Sequence, residues 1–311
     1  MTVVTTQEAK KDRSSERQLQ NRAVLGVFLM IGGIALYALS DAFIKHLMGT
    51  YTVHQTTFLR AITRLTPLLI ATFFQGGLRQ VLATSHPWQH AIRLGVNLTY
   101  TLAFMYAFSM GSLTATYTLS YTSPFFMIVL SAIMLKETIN RDRWAAVAIG
   151  MIGVIIAMRP GAGVFEWAAI LVLAGSFLGA LNKILMRRLA KTEHSLAIAI
   201  YPNLVMIFVT LPFVLNSWQA MPLAHWGMFA FVGGITALGQ YCIAQALRYS
   251  QASTLAPIDY SSFFWVVTLD LFWWNRSPDA ATLLGAFVIV GSNLFILYKT
   301  RRENTPVKAA A

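Results

Sequence analysis

The sequence predicts an all-α polytopic membrane protein, with ten transmembrane helices in two inverted five-helix repeats and both termini cytoplasmic. Three observations carry this. The 311-residue chain is 56% hydrophobic and only 12% charged, against roughly 25% charged in an ordinary soluble domain. Apolar runs of about 20 residues, the length that crosses a bilayer, recur along nearly all of it. Finally, residues 107–130, AFSMGSLTATYTLSYTSPFFMIVL, lie without gaps on 246–269, ALRYSQASTLAPIDYSSFFWVVTL. Ala107, Tyr121, Ser123, Phe125 and Leu130 fall on Ala246, Tyr260, Ser262, Phe264 and Leu269. Five helices separate the copies, so equivalent helices run in opposite directions, a common construction in secondary transporters.

Helices are expected near 23–48, 54–75, 90–111, 113–135, 143–158, 166–190, 194–216, 225–248, 251–274 and 280–300. Residues 1–22 form a polar cytoplasmic tail of mixed charge without an apolar h-region, so no cleavable signal is expected and the first span directs insertion. Short hairpins at Gly49–Val53 and Gly111–Ser112 make successive helices antiparallel neighbours, and the longest connections are Gly76–Gln89 and Asn216–Ala224. Pro124 in the fourth span and Pro257 in the ninth are expected kinks and candidate hinges, because each removes one helical donor. Gly175 and Gly179 permit close helix approach in the sixth span. The first repeat is placed at 23–159, the second at 160–300, and a cytoplasmic tail at 301–311.

The net charge of +12 is a topology signal and not a nucleic-acid patch. With the N-terminus inside, most basic residues flank cytoplasmic loops, including Lys10, Lys11, Arg79, Arg93, Lys136, Arg141, Arg187, Arg188, Arg301 and Arg302. Only Arg159 and Arg276 fall on the opposite side. The single cysteine, Cys242, excludes an intrachain disulfide and reads as a small hydrophobe. No HExxH, GxSxG, Cys/His cluster or P-loop is present, so metal hydrolysis, serine chemistry and ATP-driven pumping lack their groups. No enzyme activity, cofactor or metal is expected.

An ionisable side chain at mid-bilayer costs about 2.5–3.5 kcal/mol on insertion scales and must find a partner or water. Asp41, Lys45, Arg60, Arg64, Lys183, Asp259 and Asp270 are in this position. Asp41 and Lys45 stand four apart in the favourable order, acid first. By depth, an outer network of Asp41, Lys45, Arg60, Arg64 and Asp270 is expected, with an inner Lys183–Asp259 pair. These charges either neutralise one another or form gates, and Asp259 is the better candidate for proton carriage. Neutral polar and aromatic residues suit a substrate site: Tyr37, Asn97, Tyr100, Thr101, Tyr121, Asn182, Gln240 and Tyr260. They supply donors for a carboxylate, acceptors for an ammonium and walls for an apolar side chain, although core packing is the ordinary role of such aromatics.

The repeat, Lys45, Arg60, the Lys136-Glu137 pair and the glycine-spaced stretches 150–153 and 285–291 resemble the drug/metabolite transporter superfamily with two EamA-type repeats. The resemblance spans about 23–300, and Arg276 departs from it where a Glu would match Glu137. Within the superfamily the chain is similar to the YddG-type exporters of aromatic and other amphiphilic amino acids. The resemblance implies a ten-helix basket around a central cavity lined by spans 1, 3, 4, 6, 8 and 9. It also implies an inner-membrane secondary transporter that exports aromatic and other neutral amino acids by alternating access. Its partners are then the small-molecule substrate and the lipid bilayer, with proton coupling open. Transport of another metabolite such as S-adenosylmethionine, or a channel, is the alternative.

Overall fold

The computed structural model describes residues 2–134, 140–158, 167–189, 192–249 and 255–304, and every regular element among them is helical. In chain order these are α1 (Thr2–Met48), α2 (Val53–Phe73), the short α3 (Leu78–Val81), α4 (Pro87–Met110), α5 (Leu113–Ser120), α6 (Ser123–Met134) and α7 (Arg141–Met158). Then come α8 (Trp167–Leu189), α9 (Ser195–Ser217), α10 (Leu223–Tyr249), a 3-10 turn at Ala256–Ser261, α11 (Ser262–Trp274) and α12 (Ala280–Asn304). Lys136, Glu137, Arg159 and the 159/160 repeat boundary lie outside the described residues.

Val24–Met48, Leu113–Met134, Trp167–Met186, Ser195–Ser217 and Leu223–Ile243 are long and apolar enough to cross a membrane, and Trp144–Met158 and Ala280–Ile296 are shorter apolar helices. α2 reads as less apolar because its buried face carries Gln55, Thr56, Thr57 and Arg60. Two departures from the sequence reading are local. α1 continues through the N-terminal tail to Thr2, and the 76–89 connection contains α3.

Packing between the halves is reciprocal. α1 lies along α10 and α4 along α8, while α2 meets α9 and α7 meets α12. If α1, α2, α4, α5–α6 and α7 correspond in order to α8, α9, α10, the 3-10 turn with α11, and α12, each contact is its own counterpart or exchanges with another. A pseudo-twofold relation between two repeats requires this. At the α7–α12 seam the backbones nearly touch: a Cβ on Gly285 would stand 2.6 Å from both the Gly153 carbonyl oxygen and the Ala157 Cβ.

The kinked spans are broken ones. α5 stops at Ser120, Thr122 N–H donates to Leu119 O at 3.1 Å, and α6 restarts with Phe125 N–H donating to Thr122 O at 2.9 Å. Pro124 therefore sits second in α6, where a missing N–H costs nothing. In the other repeat the 3-10 turn occupies the positions aligned with 117–122, and Pro257 lies in its first turn. The expectation of proline kinks inside continuous helices at 113–135 and 251–274 is corrected accordingly: each proline helps begin a helix.

Where α4 and α9 begin, the α8–α9 loop is fastened to the 84–90 segment by Glu193. Its buried carboxylate accepts from Ser85 N–H at 3.1 Å, Ser85 Oγ at 3.0 Å and His86 Nδ1 at 3.2 Å, with His90 Nε2 at 3.5 Å. Burial alone would raise this carboxyl, but hydrogen bonds from Thr84, Ser85 and His86 outweigh it and hold the pKa at about 2, down from 4.5.

Substituting Gly285→Ala must force α7 and α12 apart and should lower stability by about 1–3 kcal/mol, read as a lower thermal midpoint in detergent. The Glu193 contacts make stability depend on pH. A depressed carboxyl stabilises fully above its unfolded pKa and loses that contribution as pH falls through its folded value. The wild-type midpoint should thus fall between pH 4.5 and 2 more steeply than that of Glu193→Gln.

Candidate substrate site and charge network

At the end of the bundle where α1 finishes, buried charges meet across the two halves. Asp41 on α1 pairs with Arg60 on α2 and accepts from Tyr117 Oη at 2.7 Å, while Arg60 Nη1 also reaches Met105 Sδ at 3.6 Å. Lys45 Nζ stands 3.5 Å from Asp270 Oδ1, the two side chains being 8% and 2% exposed, and lies 4.6 Å over the Trp274 ring. Asp270 does more than neutralise. It accepts from Leu113 N–H at 3.3 Å, and from Thr114 N–H and Oγ1, each at 2.7 Å. A carboxylate thereby caps the N-terminus of α5, where the helix dipole favours negative charge.

The expected i,i+4 bond between Asp41 and Lys45 gives way to these partners. An exposed pair of that kind contributes only about 0.2–0.5 kcal/mol, whereas buried charges need several close donors and acceptors. Arg64 is half-buried and makes no ion pair among the described residues, but it lies in the field of Asp41, Tyr37 and Tyr100.

Deeper in the bundle, Tyr37 Oη donates to Gln240 Oε1, joining α1 to α10, and Ser40 and Thr236 meet at 2.9 Å one turn away. Tyr100 and Phe104 on α4 stand edge to face at 5.3 Å. Gly179 and Gly175 of α8 lie against them, where an added Cβ would stand only 3.2 Å from Tyr100 and 2.8 Å from Phe104 respectively. Tyr121 and Tyr260, aligned by the repeat, have ring centroids 5.3 Å apart. Tyr121 Oη also bonds Ser262 Oγ at 2.5 Å, and Asn293 Nδ2 donates to the Tyr121 carbonyl at 2.9 Å. Asn182 is buried with its Oδ1 unpartnered among the described residues. Asn97 and Thr101 on α4 are half-buried.

Lys183 and Asp259 do not form the expected pair. Both are exposed, neither makes an ion pair within 4 Å among the described residues, and each still lies within electrostatic reach of the other. Sequence reasoning overlooked Tyr117 and Asn293 and saw Thr114 only as a repeat match, whereas helical spacing had already put Thr236 on one face with Gln240. Ser262 was signalled by its match to Ser123, whereas Tyr117 and Asn293 needed a neighbouring helix to acquire meaning.

Residues 24–159 and 166–298, two successive stretches matching the two packed halves, fit the EamA-like transporter family. The chain belongs to this family. It is 24% identical to an S-adenosylmethionine uptake transporter of Rickettsia bellii over 89% of this chain and 94% of that protein. It is 28% identical to a riboflavin transporter of Vibrio cholerae, over 89% and 92%. A pseudopaline exporter of Pseudomonas aeruginosa is 24% identical over 85% and 93%. A crystal structure at 16% identity superposes with a TM-score of 0.62, covering 91% of this chain and 99% of that one, and shows the shared fold. These findings make the chain a multi-pass inner-membrane transporter. They move the finer resemblance away from aromatic amino-acid exporters specifically, since these relatives carry other names.

Asp270→Asn should strip charge from a buried cation and a helix cap together, costing about 3–5 kcal/mol. Lys45→Met in the same chain should recover part of that loss, a coupling measured by a double-mutant cycle of thermal midpoints.

Proposed function

We propose that this transporter is a secondary carrier that moves a small amphiphilic metabolite with an amino-acid end, by alternating access through ten spans with both termini cytoplasmic. One observation carries the reading. At one end of the bundle, Lys45 of the first half and Asp270 of the second are buried and ion-paired at 3.5 Å, whereas Gln240, Lys183 and Asp259, nearer the other end, are exposed. The contrast supports a carrier closed on one side and open on the other. An open pore would leave no reason to bury two opposite charges across the repeat interface, and a carrier can exchange such contacts for equivalent ones when the repeats rock.

Tyr37, Asn97, Tyr100, Thr101, Tyr121, Asn182, Gln240 and Tyr260 supply the aromatic walls and polar contacts. Aromatic and other neutral amino acids, moved outward, are one substrate class that these residues suit. The similarity to S-adenosylmethionine uptake transporters favours a second substrate, one that also presents an amino-acid end to the site. Pro124 and Pro257, at the two helix restarts, are the proposed hinges.

The test is counterflow of radiolabelled L-tryptophan and of S-adenosylmethionine in proteoliposomes, with and without an imposed pH gradient. Saturable counterflow of one or both is expected, with Tyr121→Ala and Gln240→Ala each reducing it about tenfold or more at unchanged expression, the effect of about 1.4 kcal/mol of lost binding. An unsaturable leak through folded protein would replace the carrier with a channel.

A further inference from the structure

Lys183 and Asp259 are two charges at membrane depth that lie outside the Lys45–Asp270 and Asp41–Arg60 pairs. Lys183 lies one turn beyond Gly179 and two beyond Ser176 on α8. Gly179 packs against Tyr100, and Ser176 is buried, so helical spacing puts Lys183 on the protein-facing side of α8 and not on the side that carries Phe177. Asp259 sits in the 3-10 turn beside Tyr260, and its charge reaches the rings of both Tyr121 and Tyr260. Two opposite charges at membrane depth would ordinarily close on each other or lie in a water-filled cavity. Here they remain apart and exposed while within electrostatic reach.

We propose that Lys183 and Asp259 are the two poles of a substrate subsite for a zwitterion, Lys183 taking its carboxylate and Asp259 its ammonium, with Tyr121 and Tyr260 against its apolar body. The proposal rests on the carrier reading above and goes further by fixing which charges the substrate must bear. A zwitterion satisfies both poles at once. A ligand with one charge leaves the other pole desolvated without compensation, which a site of low dielectric penalises. Asn182, buried with an unpartnered Oδ1 and directly preceding Lys183, adds a polar acceptor on the same turn. Because the poles come from different elements, α8 and the 3-10 turn, a bound zwitterion would link them where the bare site does not.

The experiment uses the full-length protein in lipid nanodiscs. Competition against labelled L-tryptophan is measured with tryptamine, which lacks the carboxylate, and with indole-3-propionate, which lacks the ammonium. The wild type should prefer tryptophan to each by about tenfold, the discrimination of one charge-assisted contact. Lys183→Gln should then bind tryptamine as well as tryptophan, and Asp259→Asn should bind indole-3-propionate as well as tryptophan. Retained binding of the singly charged analogue shows that each variant is folded. If labelled S-adenosylmethionine binds and tryptophan does not, its decarboxylated form replaces tryptamine in the Lys183→Gln arm. Equal loss of all ligands in a variant, or discrimination that survives both substitutions, overturns the proposal. In proteoliposomes of the same protein, saturable uptake of riboflavin by a wild type that ignores both zwitterions overturns it while leaving the carrier reading intact. Absence of saturable uptake of any of the three removes both.

Discussion

The carboxylate of Asp270 is the point on which the two halves of this protein depend. It is almost completely buried, and it answers that burial with a lysine from the first helix and three donors from the start of α5. A buried carboxylate with fewer partners would be too costly to keep. The same side chain holds Lys45 away from lipid and caps α5, so removing it disturbs two elements of the first repeat from a position in the second. Asp41, bonded to Arg60 and Tyr117, repeats the principle within the first half.

The repeat packing explains why the charges gather at one end. α1 against α10 and α4 against α8 are equivalent seams, and α7 against α12 closes the periphery through glycine and alanine backbones in near contact. In a bilayer, helices gain little from hydrophobic burial against one another, so such close approach and buried polar bonds carry the association. The broken stretch of α5 and α6, and the 3-10 turn with α11, occupy aligned positions in the two halves. The halves differ in sequence where the buried charge lies, because Asp270 aligns with Ser131 and has no charged counterpart there.

At the opposite end the contacts have a different character. Glu193 ties a loop to a loop outside the apolar bundle, and its partners are histidine and hydroxyl groups with access to water. Between the two ends lie the aromatic residues of α4, the paired tyrosines and the separated Lys183 and Asp259. Proteins named for transport of S-adenosylmethionine, riboflavin and pseudopaline are similar to this chain over most of their length, so substrate choice must be made by such local groups and not by the fold.

Much of this was legible in the sequence. Hydropathy gave the helical membrane class, and the gapless match of 107–130 to 246–269 gave the two-repeat plan, because both are one-dimensional patterns that a bilayer enforces. The intramembrane charges were also visible, since each is rare and costly wherever it points. The outer set of five was legible by depth, but which acid meets which base was not. Asp41 reads beside Lys45, yet α2 brings Arg60 to Asp41, and α11 brings Asp270 to Lys45 from the far end of the chain. Lys183 and Asp259 read as a pair by charge and depth, yet the folded chain leaves them without an ion pair within 4 Å among the described residues. Pro124 and Pro257 marked the right places, but whether a proline bends a helix or begins one depends on the backbone hydrogen bonds around it. The sequence determined which groups must be satisfied, because desolvation is a property of the residue. The tertiary structure decided what satisfies them, because satisfaction depends on distances of a few ångström between distant helices.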